Sequence, residues 1–142
     1  MTEDKGSSPA CSAKVPAGSA SPEEPMQRDN DQKIVVVCTT DRLGFGDDEL
    51  GLKLMVNFLR TLREMGNDLW RLIFVNNGVK LTIDGSDVLA DLQTYESAGL
   101  KILVCGTCLD HFKLLQSKQV GETTNMVDIV TAMQLADKVI SM

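Results

Sequence analysis

The chain has 142 residues, a length that suits one domain of ordinary size around a single buried core. Its 14 Lys and Arg against 20 Asp and Glu leave a net charge of −6, a poor balance for holding a phosphate backbone, so nucleic acid is not an expected partner. No run approaches the roughly 18 apolar residues of a membrane span, and the N-terminus lacks the basic-then-apolar order of a secretory signal, so a cytoplasmic protein with no membrane partner is expected.

Met1 to Gln32 contains all four prolines, much Ser, Ala, Glu and Asp, and almost no branched apolar residues. A disordered tail is expected over 1–32 and one folded domain over 33–142. The tail has three basic and six acidic residues, net −3, leaving an equal charge for the folded part. From Lys33 onward, short apolar runs alternate with amphipathic stretches, which predicts an α/β fold with a mostly parallel sheet and helices on both faces. Ile34-Val35-Val36-Val37 reads as a buried first strand ending at Cys38. Leu50, Leu54, Phe58 and Leu62, widened by Met55 and Leu59, predict the first crossover helix, with Gly66 as a left-handed cap. Leu72 to Val75 reads as the second strand and Asn76-Asn77-Gly78 as its turn. A helix is predicted from near Ser86 to Gly99, a third strand over Lys101 to Cys105, and a helix from about Thr124 to Leu135 with Met126, Ile129, Val130 and Met133 on one face. Lys138 to Ser141 reads as the last strand.

In open parallel sheets, ligands and catalysis gather beyond the carboxyl ends of the strands, where loops and helix N-termini converge. Cys38-Thr39-Thr40-Asp41 follows the first strand, Asn76-Asn77 the second and Cys105 the third, so one rim is the candidate site. Its most chemistry-capable feature is Cys105-Gly106-Thr107-Cys108. Two thiols stand where the buried run Ile102-Leu103-Val104 meets a segment that can start a helix. Unpaired backbone N–H groups and the helix dipole there favour a thiolate.

Several chemistries compete for these cysteines. The four in the chain, Cys11, Cys38, Cys105 and Cys108, are too few and scattered for a disulfide framework and read as reduced thiols. Cys11 has no dipole, base or fixed geometry in the tail. A plain structural role, a small hydrophobe at a strand end, accounts for one cysteine better than for two. Zinc would need Cys105, Cys108 and His111 with Cys38 completing the set, and a second Cys-x-x-Cys is missing. Haem attachment needs His directly after Cys108, where Leu109 stands, and a thioredoxin-like exchanger needs a proline that the chain lacks after Pro25. The loop Gly44 to Gly51 fails as a dinucleotide motif. Its third glycine is misplaced, and Asp47, Asp48 and Glu49 repel a pyrophosphate but suit a helix cap. No Walker-type Gly-Lys-Ser/Thr occurs. No cofactor or resident metal is expected.

Thr40-Asp41-Arg42-Leu43-Gly44, Gly46-Asp47-Asp48-Glu49-Leu50-Gly51, Phe74-Val75-Asn76-Asn77-Gly78-Val79-Lys80-Leu81, Cys105-Gly106-Thr107-Cys108-Leu109-Asp110 and Ala136-Asp137-Lys138-Val139-Ile140 resemble, in order, the C-terminal domain of the YedF-type proteins in the DsrE-like sulfurtransferase group. The resemblance covers roughly residues 33 to 142. It implies a DsrE-like α/β fold, homo-oligomers, and a link to sulfur relay and selenium metabolism. Longer YedF-like proteins begin with a sulfur-carrier domain of the TusA or SirA type bearing Cys-Pro. Here Cys11 is followed by Ser12 and no packed domain is expected in the tail, so sulfur or selenium would arrive from a separate TusA-like carrier or cysteine desulfurase and leave to a separate acceptor. Cys105 matches the persulfide-bearing position. Cys108 would attack that persulfide, with Cys38, Thr40, Asp41, Asn76, Thr107 and His111 as supporting groups. His111, one turn past Cys108, is expected to lie exposed on the helix rather than to donate a proton. The alternative is a non-catalytic module that binds a partner or ligand on this rim and uses the cysteines for contact or redox sensing.

Overall fold

The computed structural model describes residues 31–142. Apart from Asp31 and Gln32, the expected tail lies outside the described residues, Cys11 included. Five strands, β1 (Ile34–Cys38), β2 (Leu69–Phe74), β3 (Lys101–Cys105), β4 (Glu122–Thr124) and β5 (Lys138–Ser141), form one sheet in the order β4-β3-β2-β1-β5. Every ladder in it is parallel. The fold is therefore α/β, as the alternation of apolar runs predicts.

Four helices connect the strands: α1 (Asp48–Thr61), α2 (Leu89–Ser97), α3 (Gly106–His111) and α4 (Met126–Leu135). From β1 to β4 the chain steps one strand sideways at each crossover, and right-handed connections keep α1, α2 and α3 on one face. The return from β4 to β5 passes the whole sheet in the opposite sense, so α4 covers the other face. The core between these layers is branched and aliphatic. Val35, Val36, Leu72, Ile73, Phe74, Ile102 and Val104 from the central strands are buried against Met55, Leu59, Leu92, Leu109 and Ile129.

The acidic run before α1 caps it. Asp47 stands in extended conformation, its carboxylate accepts the Leu50 N–H at 2.8 Å, and Asp48 and Glu49 occupy the first turn. Asp47→Ala should therefore lower stability by about 1 kcal/mol, read as a shift in the urea midpoint with unchanged slope.

The structure rotates two helices relative to the predicted stripes. In α1 the inward line is Gly51, Met55 and Leu59, continued by Leu62, whereas Leu50 and Leu54 are 53% and 38% exposed. The helix also ends earlier than Gly66. It tightens into a 3₁₀ segment, Leu62–Asp68, in which Gly66 has φ +57° and ψ −135°, a turn into β2 rather than a helical left-handed cap. In α4 only Ile129 and Ala132 are buried, and Met126, Val130 and Met133 face outward at 58%, 53% and 36% exposure. A single ten-residue helix on that face can turn only one line of side chains onto the sheet.

Boundaries shift elsewhere too. α2 starts at Leu89 rather than Ser86, because Ser86 builds the preceding turn by accepting the Val88 and Leu89 N–H groups. β2 begins at Leu69 and ends at Phe74, and α4 begins after β4, a strand the sequence reading takes as loop and helix start. Among the described residues no helix is long and apolar enough to cross a membrane.

Candidate active site at the strand carboxyl ends

The rim is assembled from the ends of β1, β2, β3 and β4. β3 runs straight into α3, so Cys105 is both the last strand residue and the N-cap, in extended conformation with φ −63° and ψ 118°. Gly106 is tightly fitted here, because a Cβ would stand 3.0 Å from Thr123 Cγ2 and 3.2 Å from Thr124 O. β4, absent from the sequence reading, thus packs on the first turn of α3. Thr123-Thr124 offers a β-branched pair as a signal, but three residues are too short to read as a strand.

α3 brings the two thiols together. Cys108 Sγ donates to Cys105 Sγ at 2.9 Å, and the Cys108 backbone N–H points at the same sulfur at 3.4 Å. The Asn76 backbone N–H, beyond the end of β2, donates to Cys108 Sγ at 3.1 Å. A chain of donors therefore runs from Asn76 through Cys108 to Cys105. Burial pushes the Cys108 thiol above its ordinary pKa, donation to Cys105 pushes the same way, and the Asn76 N–H pulls it down. Cys108 thus keeps its proton to higher pH and points it at the Cys105 sulfur, which accepts the hydrogen bond. Access runs the other way: Cys105 is 3% exposed and Cys108 is half-buried.

Asn76 reaches this position in a strained conformation. Its φ is +52°, the left-handed region that asparagine tolerates better than most residues, and its Asn-Asn-Gly context is the sequence signal for it. Gly78, two residues on, lies so close to β1 that a Cβ would collide with the Cys38 carbonyl oxygen. That contact, together with Val75 N–H donating to Cys38 O at 3.0 Å, presses the 3₁₀ segment Asn76–Thr82 onto the carboxyl end of β1 and fixes the Asn76 N–H.

The remaining predicted residues do not converge on the thiols. Cys38 ends β1, two strands from β3, so its backbone is about 10 Å across the sheet from Cys105. It is fully buried, and burial pushes its thiol up to about 12. Thr40 accepts the Arg42 N–H at 3.2 Å within its own loop. Asp41 Oδ1 lies 4.0 Å from Arg42 Nε, too far for a hydrogen bond, and Asp41 lines a separate cleft of about 200 Å³ with Lys80, Ser86 and Asp87. Thr107 is exposed on α3. His111 is exposed at the end of that helix, its ring 5.1 Å from Phe112 in an edge-on contact, the placement expected from its position one turn on. Among the described residues no group of three or more His, Cys, Asp and Glu side chains could hold a metal ion.

These environments set an order of thiol reactivity, best read in a Cys11→Ser background by iodoacetamide labelling and peptide mass spectrometry. Cys108 should label more slowly at pH 8 than a cysteine in a short peptide, with the gap closing as pH rises, because a raised pKa moves thiolate formation to higher pH. Cys38 should stay unlabelled until the chain unfolds. Equal rates for Cys38 and Cys108 would contradict this assignment.

A family model described as the DsrE/DsrF-like family matches residues 32–142. Among solved structures, the YchN protein of E. coli superposes with a TM-score of 0.60 at 22% identity, covering 78% of this chain and 99% of that one. A protein of unknown function, MTH1491 from Methanobacterium thermoautotrophicum, superposes with a TM-score of 0.59 at 16% identity, covering 79% and 100%. At such identities the likeness is one of fold. The comparison with curated proteins gives no match. The family match spans the whole described sheet and both thiols of the rim, and the chain belongs to the DsrE/DsrF-like family, a family associated with sulfur relay.

Proposed function

We propose that the protein carries sulfur, or selenium, as a persulfide on Cys105 within a relay between a donor protein and an acceptor. The single observation that carries this reading is the donor chain Asn76 N–H to Cys108 Sγ to Cys105 Sγ, at 3.1 and 2.9 Å. Together with the Cys108 N–H at 3.4 Å, it gives the Cys105 sulfur two donors and a neighbouring thiol within attacking range. A Cys105 thiolate attacks the outer sulfur of a donor persulfide, the S–S bond of the donor breaks, and the donor leaves as a thiolate that takes up a proton. Cys108, once deprotonated, then attacks Cys105 Sγ. The outer sulfur leaves as hydrosulfide, reduced by two electrons, and the dithiol is oxidised to a Cys105–Cys108 disulfide that an external thiol must reduce. Transfer to an acceptor thiol that attacks the outer sulfur directly leaves both cysteines reduced. Because Cys108 is the more exposed thiol, an incoming donor meets it first.

The sequence resemblance to the C-terminal domain of YedF-type proteins supports a place in selenium metabolism, with a TusA-like carrier or cysteine desulfurase as donor in the cytoplasm. The outward line Met126, Val130 and Met133 with Val127 supports a homo-oligomer that covers α4. That same apolar face favours the second reading, a binding module whose thiols sense redox state and do not carry sulfur.

Intact-mass spectrometry of reduced protein treated with a persulfide or selenosulfide donor separates the two. One added chalcogen that depends on Cys105 is the expected result. A folded protein that takes up none from either donor, yet still binds a carrier protein, would establish the module instead.

A further inference from the structure

At the opposite end of the sheet from the thiols, a cleft of about 450 Å³ opens where α1 and α2 end and β2 and β3 begin. That volume lies in the range of small-molecule sites. Its apolar wall comes from Leu62, Leu69, Leu100 and the ring of Tyr95, whose hydroxyl is tied to the Leu59 and Arg60 carbonyls at 2.6 and 3.1 Å. Its polar wall comes from Arg63 and Arg71.

These two arginines are among the basic residues without a carboxylate partner in the described residues, as Lys80 and Lys118 also are. Carboxylates outnumber basic residues, and Arg42, Lys53, Arg60 and Lys101 each stand within 4.0 Å of one. Arg63 and Arg71 make no ion pair with a carboxylate among the described residues: Arg63 Nε donates to Arg60 O at 3.0 Å and its side chain also hydrogen-bonds Tyr95, and Arg71 Nη1 donates to Trp70 O at 3.2 Å. The Arg71 guanidinium carbon also lies over the Trp70 ring, 4.0 Å from its centroid. Stacking fixes the guanidinium plane while leaving its remaining N–H groups free for a planar anion. Two arginines without a carboxylate partner, one of them stacked, thus line a cleft whose remaining wall is Asn67, apolar side chains and aromatic rings, and Arg71 and Trp70 also border a second cleft of about 240 Å³ beside Glu122 and Asp128.

We propose that this cleft binds a small organic anion, its carboxylate or phosphate taken by Arg63 and Arg71 and its flat apolar body lying against Leu62, Leu69, Tyr95 and Leu100. The site is separate from the cysteine rim and stands or falls without it. Bidentate charge-assisted hydrogen bonds supply the anion affinity, and the apolar wall supplies selection against inorganic ions.

Trp70 is the only tryptophan of the chain and lines the cleft, so its emission reports occupancy directly. The full chain is titrated with adenosine monophosphate, benzoate, adenosine and inorganic phosphate, with calorimetry in parallel. Saturable binding of adenosine monophosphate or benzoate is expected, and which of the two binds tells phosphate from carboxylate. Adenosine and inorganic phosphate, each lacking half of the recognised chemistry, should bind at least about tenfold more weakly. Arg63→Ala and Arg71→Ala should each weaken binding about tenfold by calorimetry at unchanged far-UV circular dichroism. Arg71→Lys should recover only part of the loss, because an ammonium cannot engage bidentately. A Cys105→Ser, Cys108→Ser double variant should bind like the parent. No saturation by either organic anion up to about ten millimolar overturns the proposal, since a preorganised arginine pair should do better than that. So does inorganic phosphate binding as tightly as adenosine monophosphate, or arginine variants that bind unchanged.

Discussion

Gly78→Ala is expected to lower stability by about 3 kcal/mol or more, a fall in melting temperature of roughly 10 °C for a folded unit of this size. The cause is a backbone collision. An added methyl would meet the Cys38 carbonyl oxygen, with the carbonyl carbon 3.0 Å away, and neither atom can swing aside as a side-chain tip would. β1 is buried at all five positions, and its Cys38 carbonyl already accepts from Val75 N–H. Relief therefore requires lifting the 3₁₀ segment Asn76–Thr82 off the sheet. That movement carries away the Asn76 N–H that donates to Cys108 Sγ, so the variant should also raise Cys108 further and slow its alkylation at pH 8. A melting temperature within about 2 °C of the parent would show that the turn does not bear on β1 as described.

The second large effect separates the two thiols. Cys105→Ser should abolish the chalcogen adduct. Cys108→Ser should keep it and cut hydrosulfide release about a hundredfold or more, because the internal attacker is gone while the carrier remains. In the parent, release should climb with pH beyond the range where an ordinary cysteine, with pKa about 8.5, has levelled off. The sign follows from Cys108. Its raised pKa delays formation of the attacking thiolate, and higher pH restores it. The measurement is sulfide or selenide release by colorimetric trapping across pH 7 to 10, with intact mass on the same samples. An adduct that survives Cys105→Ser and vanishes in Cys108→Ser would reverse the roles, as the greater exposure of Cys108 alone would suggest.

Much of this architecture was legible in local pattern. The runs Ile34 to Val37 and Lys101 to Cys105 are continuous, β-branched or aliphatic, and bounded by polar turns, and such segments are buried strands wherever they occur in an α/β chain. The Asp47 cap is likewise local, since a carboxylate three residues before Leu50 needs only its own helix to act. The stripes of α1 and α4 were legible as apolar but not as inward. Periodicity fixes which residues share a face, whereas the rotation of that face toward a sheet is set by what it packs on. β4 was hidden because three residues carry no period and are held only by the neighbouring β3.

For the candidate site the division is sharper. Chain order alone placed Cys105 and Cys108 where a strand meets a helix, and a spacing of three brings such side chains onto one turn. Sequence by itself therefore determined the α/β class, the parallel strands and a thiol pair at one rim. Only the tertiary structure decided which other groups meet those thiols. Cys38 follows its strand just as Cys105 does, but strand order sets it two positions away, where burial makes it an inert thiol pushed up to about 12. Asn76 enters through a backbone N–H, a group every residue but proline possesses, aimed by a left-handed φ that Gly78 and β1 hold in place. Residue identity specifies a side chain's chemistry, whereas the direction of a main-chain donor depends on how distant segments press against each other.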